Sequence, residues 1–168
     1  MSFHMHLRAA EESAVQGRDF AWLLDFMGAA WDWDVHQAEY AAGLATSVEK
    51  DFGTVHDLCQ AGADLPAGAG GAWDLPVYGG HVVHDPSDGQ PPFALLTAAE
   101  TRTAAAFLTD VPFEALWESA GPKIHASLGP GREEGEARGI YAGHHTDLRA
   151  FYGRAAGAGQ AVVKAFWY

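Results

Sequence analysis

Near the start of the chain, Phe3, Met5 and Leu7 alternate with His4, His6 and Arg8. This period of two predicts a strand with one apolar face. Helical spacing follows. Phe20, Leu23, Leu24, Met27 and Trp31 fall at i, i+3, i+4, i+7 and i+11 behind Asp19 as a cap, and Trp22 and Phe26 add a second apolar face. A helix apolar on two sides is expected to lie between layers. Asp32 or Asp34 can cap another helix, from about Val35 to Ala45. Val48, Phe52, Val55 and Cys59 then recur at i, i+4, i+7 and i+11, with Thr46 and Glu49 spaced as a capping box. This predicts a helix from Ser47 that closes near Gly62.

From Gly62 to Gly71 the chain is Gly, Ala, Asp, Leu and Pro, the composition of an irregular surface loop. Val77 to His84 can form a strand loosened by Gly79 and Gly80, and Asp85-Pro86-Ser87-Asp88-Gly89 is turn chemistry. Thr97 and Glu100 frame a second capping box, for a helix striped by Ala104, Phe107, Leu108 and Val111. A short helix carries Phe113, Leu116, Trp117 and Ala120. Gly121 to Gly139, rich in Gly and like charges, is expected to be a mobile loop. Leu148, Phe151, Tyr152 and Ala155 give a last amphipathic helix with Thr146 as its cap, ended by Gly157 and Gly159 before a strand from Ala161 to Tyr168. Strands at both chain ends around a helical middle predict an α+β fold. We expect one domain over residues 1–168, with a mixed or antiparallel sheet that includes both terminal strands and packs against several helices.

Lys50-Asp51-Phe52-Gly53-Thr54-Val55-His56 resembles the Lys, aromatic, aliphatic, His helix of the YfbM-like family, a bacterial domain of unknown function (DUF1877). The opening MSFHMHLRAA resembles that family's first strand. Phe93 to Thr97 followed by Ala98 to Thr109 resembles its apolar strand, threonine cap and helix. Ile140-Tyr141, the segment from Leu148 to Ala156, and the apolar tail resemble its C-terminal third. Phe52 stands where the family pattern leads us to expect tryptophan, and the Gly/Ala stretch after Leu65 has no counterpart. The resemblance implies the same α+β class, marks Lys50 and His56 as shared positions, and brings no activity with it.

Composition narrows the picture further. A chain of 168 residues, 48% hydrophobic and 19% charged, is long enough to bury roughly 70% of its unfolded surface in one core. Its 22 acidic against 10 basic residues give a formal charge of −12. That balance argues against nucleic acid and anionic membrane as partners, both of which need a positive footprint. It suits a basic protein partner, as for an inhibitor or immunity-type protein, or a small molecule. Cys59 is the only cysteine, so neither an internal disulfide nor a cysteine-built zinc site can form. With no apolar run of about 20 residues and no signal-peptide pattern, the expectation is a soluble cytoplasmic protein.

Candidate chemistry centres on histidines and aromatics. His4 and His6 share one strand face, a spacing that zinc or another divalent metal uses, with a third ligand drawn from His81, His84, Asp85, His144, His145 or Asp147. Trp31-Asp32-Trp33-Asp34 joins aromatic planes to carboxylates, as sugar or cation recognition requires, although the aspartates also read as caps. Lys50 and His56 can flank one groove. Tyr141, His144 and His145 form a further candidate ligand-binding group; by sequence the two histidines fall at a helix start, where the dipole keeps imidazole neutral. His56 and Cys59 at i and i+3 are close enough for a thiolate and base, but Cys59 ends an apolar stripe and reads as packing. No phosphate-binding glycine loop or nucleophile elbow occurs. The expectation is therefore non-catalytic recognition without a cofactor, with metal-assisted hydrolysis at a histidine cluster as the alternative.

Overall fold

The structure, a computed structural model, describes residues 4–129 and 131–167. Strand β1 (His4–Ala10) and strand β5 (Ala161–Trp167) pair antiparallel along their whole lengths, from His4 opposite Trp167 to Ala10 opposite Ala161. They form the middle of a five-stranded sheet. Strand β2 (Ala45–Val48) adds to the free edge of β1, and strands β4 (Phe93–Leu96) and β3 (His81–Val83) extend the other side, every pairing antiparallel. The expected α+β class and the shared sheet of the two termini are thus what the chain adopts. Phe3 and Tyr168, at the outer limits of those two expected strands, lie outside the described residues.

Both sheet faces are covered. Met5, Leu7, Ala9, Ala94, Leu96, Val162 and Phe166 point into the larger core. That core is closed by helices α4 (Phe52–Gln60), α5 (Ala98–Asp110), α6 (Phe113–Ser127) and α7 (Glu134–Gly157). The opposite face presents Phe93, Leu95, Ala161, Val163 and Ala165 to Val15 of the short helix α1 (Glu12–Val15) and to Phe20, Leu23 and Met27 of α2 (Phe20–Gly28). Helix α3 (Trp33–Ala41) follows one 3-10 turn later, at the β2 side. Helix α2 lies against this face, with Trp22 and Phe26 partly buried beside its main stripe.

Several caps follow the sequence. Asp19 accepts from the Trp22 N–H, Asp32 from those of Asp34 and Val35, and Thr97 and Glu100 form the reciprocal capping box. Several segments differ from expectation; one is the expected strand from Val77 to His84, of which only His81–Val83 is strand because Val77 to Gly80 turn first, with Gly80 at φ +113°. Thr46 does not cap a helix: residues 45–48 are strand β2, and the helix begins only at Phe52. The unpaired backbone of the β1 edge wins this segment, because pairing there satisfies a row of peptide groups and buries Val48 opposite Met5. Gly43, at φ +67°, makes the junction: its N–H bonds to Tyr40 O and that of Leu44 to Glu39 O, the Schellman closure of α3.

The segment expected as a loop from Gly121 to Gly139 is mostly helix. Helix α6 runs through Pro122 to Ser127, held on the core by buried Ile124. Helix α7 starts at Glu134, whose charge, with that of Glu136, complements the positive N-terminal end of the helix. His144 and His145 therefore sit mid-helix, away from any N-terminal dipole, and Thr146 caps nothing. The Gly62–Gly71 segment is largely exposed, as a surface loop should be, but Gly62 and Gly68 are buried against each other, and its 3-10 turn from Pro66 is broken by a kink at Ala69 and Gly70.

Candidate functional site

Alternation on β1 sends His4, His6 and Arg8 to the face opposite the larger core. Antiparallel register brings Trp167 beside His4, and Ser47 lies across from His6. Over this corner of the sheet the 3-10 turn after α2 places Trp31, and α3 places Trp33 and His36. These histidines, tryptophans and Ser47, but not Arg8, line a cleft of about 850 Å³ together with Glu49, Gln90 and Pro91. Ring packing builds its wall: His4 meets Trp31 edge-on at 5.7 Å between centroids, Trp31 lies 5.7 Å from Trp167, and His6 lies 5.6 Å from His36. Trp33 stacks on His36 at 6.3 Å.

Two properties set this cleft apart from a packed corner. Trp31 and Trp33 remain 66% and 70% exposed, so two indoles stand in water at its rim. His6, by contrast, is 1% exposed, and its Nε2 has no hydrogen-bond partner; the same holds for His36 Nδ1 and Trp167 Nε1. An unsatisfied buried polar atom costs about 1–3 kcal/mol. Three such atoms belong to residues that line this cleft. Burial, reinforced by His36, His4 and Arg8, pushes the His6 pKa down to about 4, so the ring is neutral at physiological pH. The Arg8 guanidinium is already engaged: it donates to the Glu39 carboxylate and to Phe26 O, and lies 4.1 Å from the Phe26 ring centroid.

The other expected site residues are dispersed. Lys50 is exposed in the turn before α4, apart from the cleft lining. His56 packs among Trp73 and Tyr78, with Nδ1 3.5 Å from Asp74 Oδ1. No hydrogen bond joins that pair, and burial lowers the His56 pKa against the opposing pull of Asp74 and Asp57. Tyr141 and His145 are buried on α7 against Trp117 and Phe113, with His144 half-buried beside Tyr141. They lie on the far side of the sheet from His4 and His6. His81 sits on edge strand β3, and Asp85 is an exposed turn acid bonded to Ser87 and Gly89. Among the described residues no group of three or more His, Cys, Asp or Glu side chains is placed to hold a metal ion.

Sequence reasoning reached His4, His6, Trp31 and Trp33 but missed His36, Glu49 and Trp167. Trp167 could have been found, since pairing the terminal strands with matching alternation sets it on the His4 face. Lys164 was missed as well: fully buried in β5, it donates from Nζ to Leu75 O at 2.7 Å and Gly79 O at 2.6 Å. Its charge inside an otherwise apolar strand was the visible signal.

Residues 1–164 match the family described as a domain of unknown function, DUF1877. The chain belongs to the DUF1877 family. Its fold is similar to the crystal structure of YfbM, a protein of unknown function from Escherichia coli, with a TM-score of 0.60 at 17% identity over 98% of this chain and 99% of that one. At that identity the likeness speaks for the DUF1877 fold alone. No functionally curated protein matches the chain. Among the described residues, no helix is long and apolar enough to cross a membrane.

Proposed function

We propose that this DUF1877 domain is a non-catalytic, cytoplasmic recognition module that binds a small organic ligand in the cleft between the sheet and α3. One observation carries the reading: the buried His6, with its unpartnered Nε2, lies in the lining of a cleft whose rim exposes Trp31 and Trp33. Concave sites lined by aromatic side chains with a few convergent polar groups are the usual form of small-ligand pockets, and about 850 Å³ is within their range. Metal-assisted hydrolysis at His4 and His6 draws less support, because among the described residues no third His, Cys, Asp or Glu is placed to join them on a metal ion.

A thermal-shift screen of neutral, cationic and anionic small molecules tests the proposal, run in parallel on the wild type and the Trp31→Ala/Trp33→Ala variant. Compounds that stabilise the wild type alone are the expected result. A screen in which every hit stabilises both proteins equally would remove the cleft as the binding site.

A further inference from the structure

The lining of the cleft carries an electrostatic bias that its shape alone does not. Among the described residues, no lysine or arginine lines it, while the Glu49 carboxylate does, exposed and with no side-chain hydrogen bond or ion pair. Arg8, the nearest cation along β1, is committed to Glu39 and Phe26. Three indoles face the space, and an indole ring is the strongest aromatic partner for a cation because its face carries negative quadrupole density. The net charge of −12 adds a long-range attraction for positive ligands. An anionic ligand would meet a carboxylate and ring faces with no compensating charge.

We infer that the cleft selects a small organic cation, an alkyl or quaternary ammonium that also carries a hydrogen-bonding group, over neutral and anionic molecules of the same size. The inference rests on the reading of the cleft as a binding site. The ammonium lies against Trp31 and Trp33, with Glu49 as counter-charge. A rotation of the Trp167, His6 and His36 rings, whose nitrogens are buried and unpartnered, lets them answer the hydrogen-bonding group of the ligand, Trp167 Nε1 as donor and the imidazoles as acceptor or donor. Trp31 and Trp33 then stay exposed in the free protein because their partner is the ligand.

Choline is the probe. Its uncharged carbon isostere, with a tert-butyl group in place of trimethylammonium, separates charge from shape, and maltose represents neutral polyols. Each is titrated at low salt, by tryptophan fluorescence and calorimetry, into the wild type, Glu49→Gln and Trp31→Ala/Trp33→Ala. Glu49 is exposed, so its substitution leaves the fold intact.

The expected result is saturable choline binding, at least about tenfold tighter than that of the isostere or maltose. It should be weakened about tenfold by Glu49→Gln and lost in the tryptophan variant, a tenfold change being about 1.4 kcal/mol. The charge inference is overturned, and the cleft reading kept, if the isostere or maltose binds as tightly as choline or Glu49→Gln binds like the wild type while the tryptophan variant still loses binding. Both are overturned if no probe binds, or if the tryptophan variant binds as the wild type does.

Discussion

Replacing Lys164 by methionine probes the centre of the fold with a perturbation whose size depends on pH. The substitution keeps the length of the apolar stem and removes the two hydrogen bonds that Nζ donates to Leu75 O and Gly79 O. Gly79 O is left without a donor, which costs about 1–3 kcal/mol, while Leu75 O keeps the longer bond from the Tyr152 hydroxyl at 3.4 Å; losing the buried ammonium relieves a desolvation cost. Burial lowers the Lys164 pKa from 10.5 to about 7, with Asp74 and Glu100 pulling the other way. Because the folded value lies below the unfolded one, the unfolded chain binds the extra proton between them, and stability rises with pH across that window. The slope approaches about 1.4 kcal/mol per pH unit, which integrates to about 2 kcal/mol between pH 7 and pH 9. Lys164→Met lacks this contribution. We therefore expect it to be less stable than the wild type by about 1–3 kcal/mol at pH 7 and by about 2 kcal/mol more at pH 9. Urea denaturation followed by circular dichroism at pH 7, 8 and 9 measures the difference. Cys59 and Tyr152 titrate in both proteins and drop out of it. A difference that stays constant or narrows with rising pH would refute the argument.

The unfolded imidazole of His6 titrates near 6.5 and the folded one at about 4. Stability is therefore lost as pH falls through that interval, and His6→Gln should lose about 3 kcal/mol less than the wild type over the same acid titration, read by urea midpoints. Gly139 lies exposed inside α7 with open space around a Cβ, so Gly139→Ala is expected to raise stability by about 0.8 kcal/mol in thermal melts; no gain, or a loss, would mean that the segment is not helical. Cys59 is buried and its thiol is pushed up to about 12, chiefly by burial. A thiol reagent at pH 8 should leave it unmodified until denaturant is added, and rapid native labelling would contradict its placement in the core.

Where the chain's own periodicity decides the structure, it could be read. The alternation through Met5 and Leu7 and the caps at Asp19, Asp32 and Thr97 are local signals, and the elements they announce are present. Thr46 to Glu49 satisfied a capping-box pattern, yet what decides it is an edge of β1 supplied from a distant part of the chain. Gly43, just upstream, was the local clue that one helix had ended. The acidic run at Glu133, Glu134 and Glu136 read as a solvated loop, although acids at a helix start are also what the dipole favours. His4 and His6, from strand alternation, and Trp31 and Trp33, from the Trp-Asp repeat, were legible as two separate candidate groups, and nothing local says that they share a cleft. His36, Glu49 and Trp167 meet them only through the sheet register and the docking of α3.

The six tryptophans provide the most direct test of the cleft as a ligand site. Indole N–H resonances assigned by single substitution can be followed while a ligand from the screen is titrated in. The account predicts that Trp31, Trp33 and Trp167 shift together with one saturation curve while Trp22, Trp73 and Trp117 stay in place. Shifts confined to Trp73 or Trp117, or spread evenly over all six, would contradict it.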